Sequence, residues 1–464
     1  MHKLLLSLLP NQLFSSKKIR LASLACLKKY AIGLSLCLGS QAAVGQKTWT
    51  LAECLTFAQT NNLQVQQAGL LQNKSLVQLN TAKKSFLPTI NGRVRTAGNW
   101  GFLIDPSTNE LSNEFNLGNQ AALNLNLNLF NGFATSHQIK LRSQQVAAAT
   151  YDCQINSNNI SLNIIYAFLQ VLLGQEQLKN SKQRAAYLVE HQRKVKAQVD
   201  KGVLSKRDWL NLQSQVAAED LVTVYAENSV EKALFSLKQI IGLPLTEDLA
   251  VNTGKIPDEW LPTELTNAEV LAAAATTLPD LRAAQAKIEA TYHAWQLERA
   301  TYKPTFALTA QLATRTSNYQ TEVVTNQVLD NLNRRVGLSL YVPIANRFLL
   351  RNTDQLAKLD AESAKLNYQQ VERELSGKVM SALLDYRAAA KKYRVLQLQY
   401  SLVSEEHRYA AKMLELGGLN AIEYSVTRSR LVTAQSELVQ AKYDCFFKQK
   451  TLDFYQGKLL PLAF

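Results

Sequence analysis

The side chains that most often carry out chemistry are dispersed in this sequence. His137, His191, His293 and His407 stand far apart, and no HExxH, G-x-S-x-G or phosphate-cradling glycine loop accompanies them. The spacing predicts isolated, solvated histidines on helices, with no catalysis, no metal site and no cofactor. Beyond residue 45 the cysteines are Cys54, Cys153 and Cys445, which neither pair off completely nor fall at metal-ligand spacing, so no disulfide framework is expected.

What is patterned is a partition between oil and water. In "AALNLNLNLF" (121–130), Leu123, Leu125, Leu127 and Leu129 share one side of a strand, and Asn124, Asn126 and Asn128 share the other. A soluble strand would turn the leucines to a core. An outer-membrane strand would turn them to lipid and the asparagines to a water-filled lumen. The segment alone fits both.

Six basic and no acidic residues stand in the first 45, followed by the apolar run "YAIGLSLCLGSQAAVG" from Tyr30, with Ala43 and Gly45 as small residues at its end. That order predicts a signal peptide over residues 1–45. Removing those six from the 51 basic residues leaves 45 against 37 acidic, a net +8 spread along the chain. Nothing gathers it into an arm or stripe, so nucleic acid is a poor partner. Residues 46–464 hold no run of 18 consecutive apolar residues, and insertion into a membrane would have to use strands.

The elements that carry the pattern occur twice. Pro88 in "KKSFLPT" aligns with Pro304 in "RATYKPT" at an offset of 216, while Gly202 with Gly417, and Gly242 with Gly457, align at 215. Repetition divides the chain into a first repeat (46–243), a linker (244–265) and a second repeat (266–464). Each repeat reads as a helix, a strand, a loop, a strand, a very long helix, a tight turn and a further helix. In the second, a seam runs from Ala357 through Ala361, Leu375, Val379, Tyr386 and Tyr393 to Val403 in steps of three and four, and it recurs in the first with Cys153 as a packed core thiol. A helix from about Ala134 to Val199 would be about 100 Å long. No globular core needs that length.

Each long helix follows two strand-like runs, "TINGRVRTAG" with "AALNLNLNLF" and "TFALTAQLAT" with "RRVGLSLYVP", each about the length that crosses an outer membrane. The polar segments between them read as exposed tips. Four strands cannot close a barrel, and open edges are not tolerated in hydrocarbon, so an inserted chain must oligomerise. The expected fold class is mainly α with transmembrane β, and the asparagines predict a weakly charged bore. An exported trimeric coiled-coil scaffold or adhesin would share the helical seam without needing the strands.

The sequence resembles the TolC-like family of outer-membrane efflux proteins. The resemblance rests on "TLAECLTFAQTNNLQVQQA" (50–68), "FLPT" (86–89) with "YKPT" (302–305), "LFNG" (129–132) ahead of a long helix, and the glycines Gly202 and Gly417 at equivalent turns. It implies a homotrimer in the outer-membrane lipid, with four strands per protomer in one 12-stranded barrel and a periplasmic α-helical barrel beneath. It implies a passive exit duct without catalysis, working with a periplasmic adaptor and a proton-driven or ATP-driven inner-membrane pump. The cargo would be small molecules, metals or polypeptides. Family members carry an acidic residue six positions after each turn glycine, here Asp208 and Glu423. Two roles fit these carboxylates: a charged ring at the periplasmic gate, or plain stabilisation of the returning helix starts.

Overall fold

The computed structural model describes residues 48–458 except 105–108, 114, 253–261, 263–265, 319, 321, 345–347 and 420. The expected signal peptide, with Cys26 and Cys37, lies outside the described residues. Helix α1 (Leu51–Asn61) starts in a capping box between Thr50 and Glu53. It gives way at Asn62 to α2 (Leu63–Lys84). Strands β1 (Thr89–Asn99) and β2 (Asn116–Asn131) follow, then α3 (Ala134–Asp200) and α4 (Lys206–Ile241). The rest of the chain supplies α5 (Asn267–Thr277), α6 (Pro279–Ala300), β3 (Thr305–Ser317), α7 (Val324–Asp330), β4 (Asn333–Tyr341), α8 (Leu349–Glu415) and α9 (Ala421–Tyr455).

One helix was expected ahead of the strands of each repeat, and two are found. Asn62 makes the first break: its Oδ1 accepts from the backbone N–H groups of Gln64 and Val65 at 2.8 and 3.3 Å. Its Nδ2 donates to the carbonyl of Ile240 at 2.6 Å, tying the break to the end of α4. The second break lies at Leu278, which is extended (φ −75°, ψ 141°) ahead of Pro279 at the first turn of α6. Proline suits that position because its missing N–H would be unpaired there anyway.

α3 and α8 are each 67 residues long, about 100 Å at 1.5 Å per residue. Both are entered through an aromatic residue in the left-handed region, Phe133 (φ 71°) and Phe348 (φ 60°). Both are left through a left-handed glycine, Gly202 (φ 75°) and Gly417 (φ 76°). No residue of the expected seam is exposed in α8, and in α3 only Asn156 is. Cys153 departs from expectation in being half-buried rather than sealed in a core.

The apolar interior is in two parts. Cys54 and Ala58 of α1 meet Ile164, Phe168 and Val171 of α3 and Leu237 of α4. Val270 and Ala274 of α5 meet Val379, Leu383 and Tyr386 of α8 and Leu452 of α9. All are at most 2% exposed, and each large side chain so buried contributes roughly 1.5–3 kcal/mol. This packing fixes α1 and α5 against the long helices and so aims the strands.

The strands form one antiparallel sheet in the order β1-β2-β3-β4, with β1 and β4 at its edges. The segment between β3 and β4, expected as a bare exposed tip, holds the short helix α7. Gln327, only 3% exposed, organises it: Oε1 accepts from the Ser317 N–H at 3.0 Å, and Nε2 donates to the carbonyls of Gln320 and Glu322.

Candidate transport site

The sheet has two chemically distinct faces. In register across its strands run the rows Ile90, Leu125, Ala310, Val336 and, one step on, Leu127, Leu308, Leu338. Leu123 pairs with Leu312 on the same face. These groups are turned outward from the chain: Val94 is 79% exposed and Val336 76%. An apolar sheet face of this extent left uncovered marks a surface that meets something other than water.

The opposite face carries the rows Asn91, Asn124, Gln311, Arg335 and Thr89, Asn126, Thr309, Gly337. Gln311 Nε2 donates to Asn124 Oδ1 at 2.9 Å, and Thr309 Oγ1 to the carbonyl of Gly337 at 3.2 Å. Asn128 lies opposite Ala307. There the strict alternation stops: a register shift between Asn128 and Phe130 skips Leu129 and sets Phe130 opposite Phe306. Leu129 is therefore the unpaired residue of the irregularity. The weakly charged surface expected from the asparagines needs correction, because Arg93, Arg95, Arg315 and Arg335 share their face.

At the other end of the long helices, α3 turns into α4 through Gly202 and α8 into α9 through Gly417. Asp208 closes a capping box: Ser205 Oγ donates to its Oδ2 at 2.7 Å, and the Asp208 N–H donates to Ser205 Oγ at 3.2 Å. The carboxylate thus serves the start of α4 at the tip. Glu423 is exposed in the first turn of α9.

Between tip and core, sequence reasoning missed a polar junction. Arg184 of α3 donates through Nε to Glu219 Oε1 of α4 at 2.8 Å and through Nη1 to Ser436 Oγ of α9 at 3.3 Å. Arg428 of α9 lies over the Tyr187 ring of α3, a cation–π contact. His191 stacks on Tyr187, and His407 packs on Tyr424. Burial, and then the charge of Arg428, hold both histidines below their ordinary pKa. Nor are the other two histidines isolated: the rings of His137 and His293 stand 5.8 Å apart, α3 against α6. Burial lowers both of their pKa values too, ahead of nearby positive charge. Helix packing brings these pairs together, and no local motif announces it.

Among the described residues no helix is long and apolar enough to cross a membrane, and no group of three His, Cys, Asp or Glu could hold a metal. The model of the outer membrane efflux protein family matches residues 55–243 and 270–458. The chain belongs to the outer membrane efflux protein family. No curated protein matches it by sequence.

Solved outer-membrane channels share its fold. CmeC of Campylobacter jejuni superimposes with a TM-score of 0.74 at 17% identity, over 88% of this chain and 85% of that one. For VceC of Vibrio cholerae the values are 0.73, 13%, 88% and 96%. The open state of MtrE of Neisseria gonorrhoeae gives 0.70, 17%, 89% and 90%. The efflux protein is accordingly an outer-membrane exit duct whose helical part lies in the periplasm, and its family works within tripartite pumps. The family and these neighbours are channels rather than enzymes. Nothing in the comparisons supports a scaffold or adhesin.

Proposed function

We propose that three copies of this efflux protein join edge to edge, β4 of one against β1 of the next, and close a 12-stranded barrel in the outer membrane. The carrying observation is the open-edged sheet whose apolar face is exposed. In hydrocarbon its two free edges demand strand partners, and sister chains supply them. Leu123, Leu125, Leu127 and Leu129 then face lipid with Phe130, and Asn124, Asn126 and Asn128 face the lumen. α3, α4, α8 and α9 continue the duct as a helical barrel.

The chain is a tandem duplication in this reading, with a signal peptide over 1–45, repeats over 46–243 and 266–464, and a linker over 244–265. The two family matches, whose starts at 55 and 270 lie 215 apart, support that division. Gly202 and Gly417 form the periplasmic tips, where Asp208 and Glu423 from three chains bring negative charge to one axis and attract cations. A periplasmic adaptor and a proton-driven or ATP-driven inner-membrane pump complete the pathway for small molecules, metals or polypeptides.

The test is electrophoresis without heating, alongside planar-bilayer recording. A trimer band that heat collapses, together with discrete conductance steps, is expected. A monomer that stays soluble without detergent and conducts nothing would overturn the reading.

A further inference from the structure

Not one of the four strands contains an aspartate or glutamate. Their charged residues are Arg93, Arg95, Arg315, Arg334 and Arg335. Strand register assigns each of them to a face. Arg335 ends the row of Asn91, Asn124 and Gln311, and Arg93 begins the next polar row with Ala122, Ala313 and Asn333. Arg95, Gln120 and Arg315 make the third. Only Arg334, opposite Leu312, stands on the apolar face.

Three consecutive polar rows thus each hold an arginine, in a band spanning about 14 Å along the strands. All four side chains are exposed, and none forms an ion pair among the described residues. Glu110, Glu322 and Asp330 lie in the segments beyond the strand ends, as do Asp105 and Glu114 outside the described residues.

We infer that the barrel section of the duct selects for anions: its arginine belt favours passage of solutes carrying carboxylate, sulfonate or phosphate groups. The inference rests on the trimeric barrel proposed above, with the polar face inward. Guanidinium groups stay charged at every physiological pH and match planar and tetrahedral oxyanions through paired N–H donors. Low-dielectric walls focus the field of like charges along a lumen, concentrating counter-ions there. Repetition in each protomer makes the belt a ring, the arrangement by which arginine and lysine line anion pores. Exposure lets the groups exchange ligands, so the belt passes anions on instead of trapping them.

The experiment records reversal potentials across a KCl gradient for the reconstituted full-length channel and for R93Q/R95Q/R315Q/R335Q. The chloride-to-potassium permeability ratio should fall about twofold or more in the variant, while the lysine counterparts and R334Q keep the parent ratio. Comparing variant with parent removes the contribution of the tip carboxylates, which both proteins share. A ratio unchanged in the quadruple variant, or one that falls as far with R334Q, overturns the inference. If the quadruple variant yields no trimer band, R93Q/R335Q is read by the same criterion. A parent that makes no channel at all is a different result, and it defeats the exit-duct reading instead.

Discussion

Arg184 and Glu219 form a bond at 2.8 Å between α3 and α4, with about four-fifths of each side chain withdrawn from solvent. The same guanidinium reaches Ser436 of α9 at 3.3 Å. One side chain therefore links the first hairpin of long helices to the second, on the way to the tip. Its hydrogen bond to a charged partner is worth about 2 kcal/mol net. Glu219→Ala should loosen the junction by that order and raise the open probability of single channels, with the trimer band preserved. Open probability equal to the parent's would show that the latch does not restrain the tip.

The same region should make the tip sensitive to acid. His191 and His407 have pKa values below the ordinary 6.5, chiefly because burial strips water from the imidazolium and then because Arg428 repels it. Lys194 adds to the repulsion at His191. Between those lowered values and 6.5, an opened arrangement binds more protons than the packed one. The packing contribution is thus fully present above 6.5 and declines as pH falls through that window. Conductance should rise on acidification of the periplasmic side, and H191Q/H407Q should flatten the rise. H137Q/H293Q, at the far end of α3, should leave it in place.

Much of this architecture was legible because two periodicities are so plain. The leucine–asparagine alternation around Asn126 survives as a strand with two faces, and the seam through Val379 and Tyr386 survives as packed helix. Gly202 and Gly417 mark turns because only a residue without a Cβ takes positive φ at no cost. What was not legible depends on register or on distant partners. Arg335 joins the row of Asn124 only through two intervening strand pairings. His137 meets His293 only because α6 lies along α3. The break at Asn62 did carry a signal, a cap residue opening a polar-apolar run, but its second tie to Ile240 is tertiary.

Thiol chemistry offers a check on the two cores. Burial pushes Cys54 up to about 12, with the neighbouring charge of Glu53 adding to it. Burial pushes Cys445 up to about 11, with Asp444 contributing in the same direction and Arg394 opposing. The thiolate is the reactive form, so at about pH 8 neither group should react with a maleimide in the folded protein. Both should react once denaturant exposes them. Labelling of Cys54 in the native channel would mean that α1 separates from α3 and α4 on the timescale of the reaction.

The left-handed glycines differ in what surrounds them, and this predicts different costs for the same substitution. At Gly202, with φ 75°, an added Cβ meets nothing within 4 Å, so alanine carries only backbone strain of about 1 kcal/mol. At Gly242, with φ 77°, it would stand 2.9 Å from the carbonyl oxygen of Asn61, where α1 ends. That atom is backbone and cannot swing aside. Moving it would also disturb Asn62, whose amide holds the carbonyl of Ile240. Gly242→Ala should therefore cost about 3 kcal/mol or more, combining strain with overpacking. Thermal unfolding temperature measures the difference: G242A should fall well below the parent, and G202A should stay close to it. Equal shifts would mean that α1 and α4 separate freely at Asn61, and that the first core does not lock the end of α4 in place.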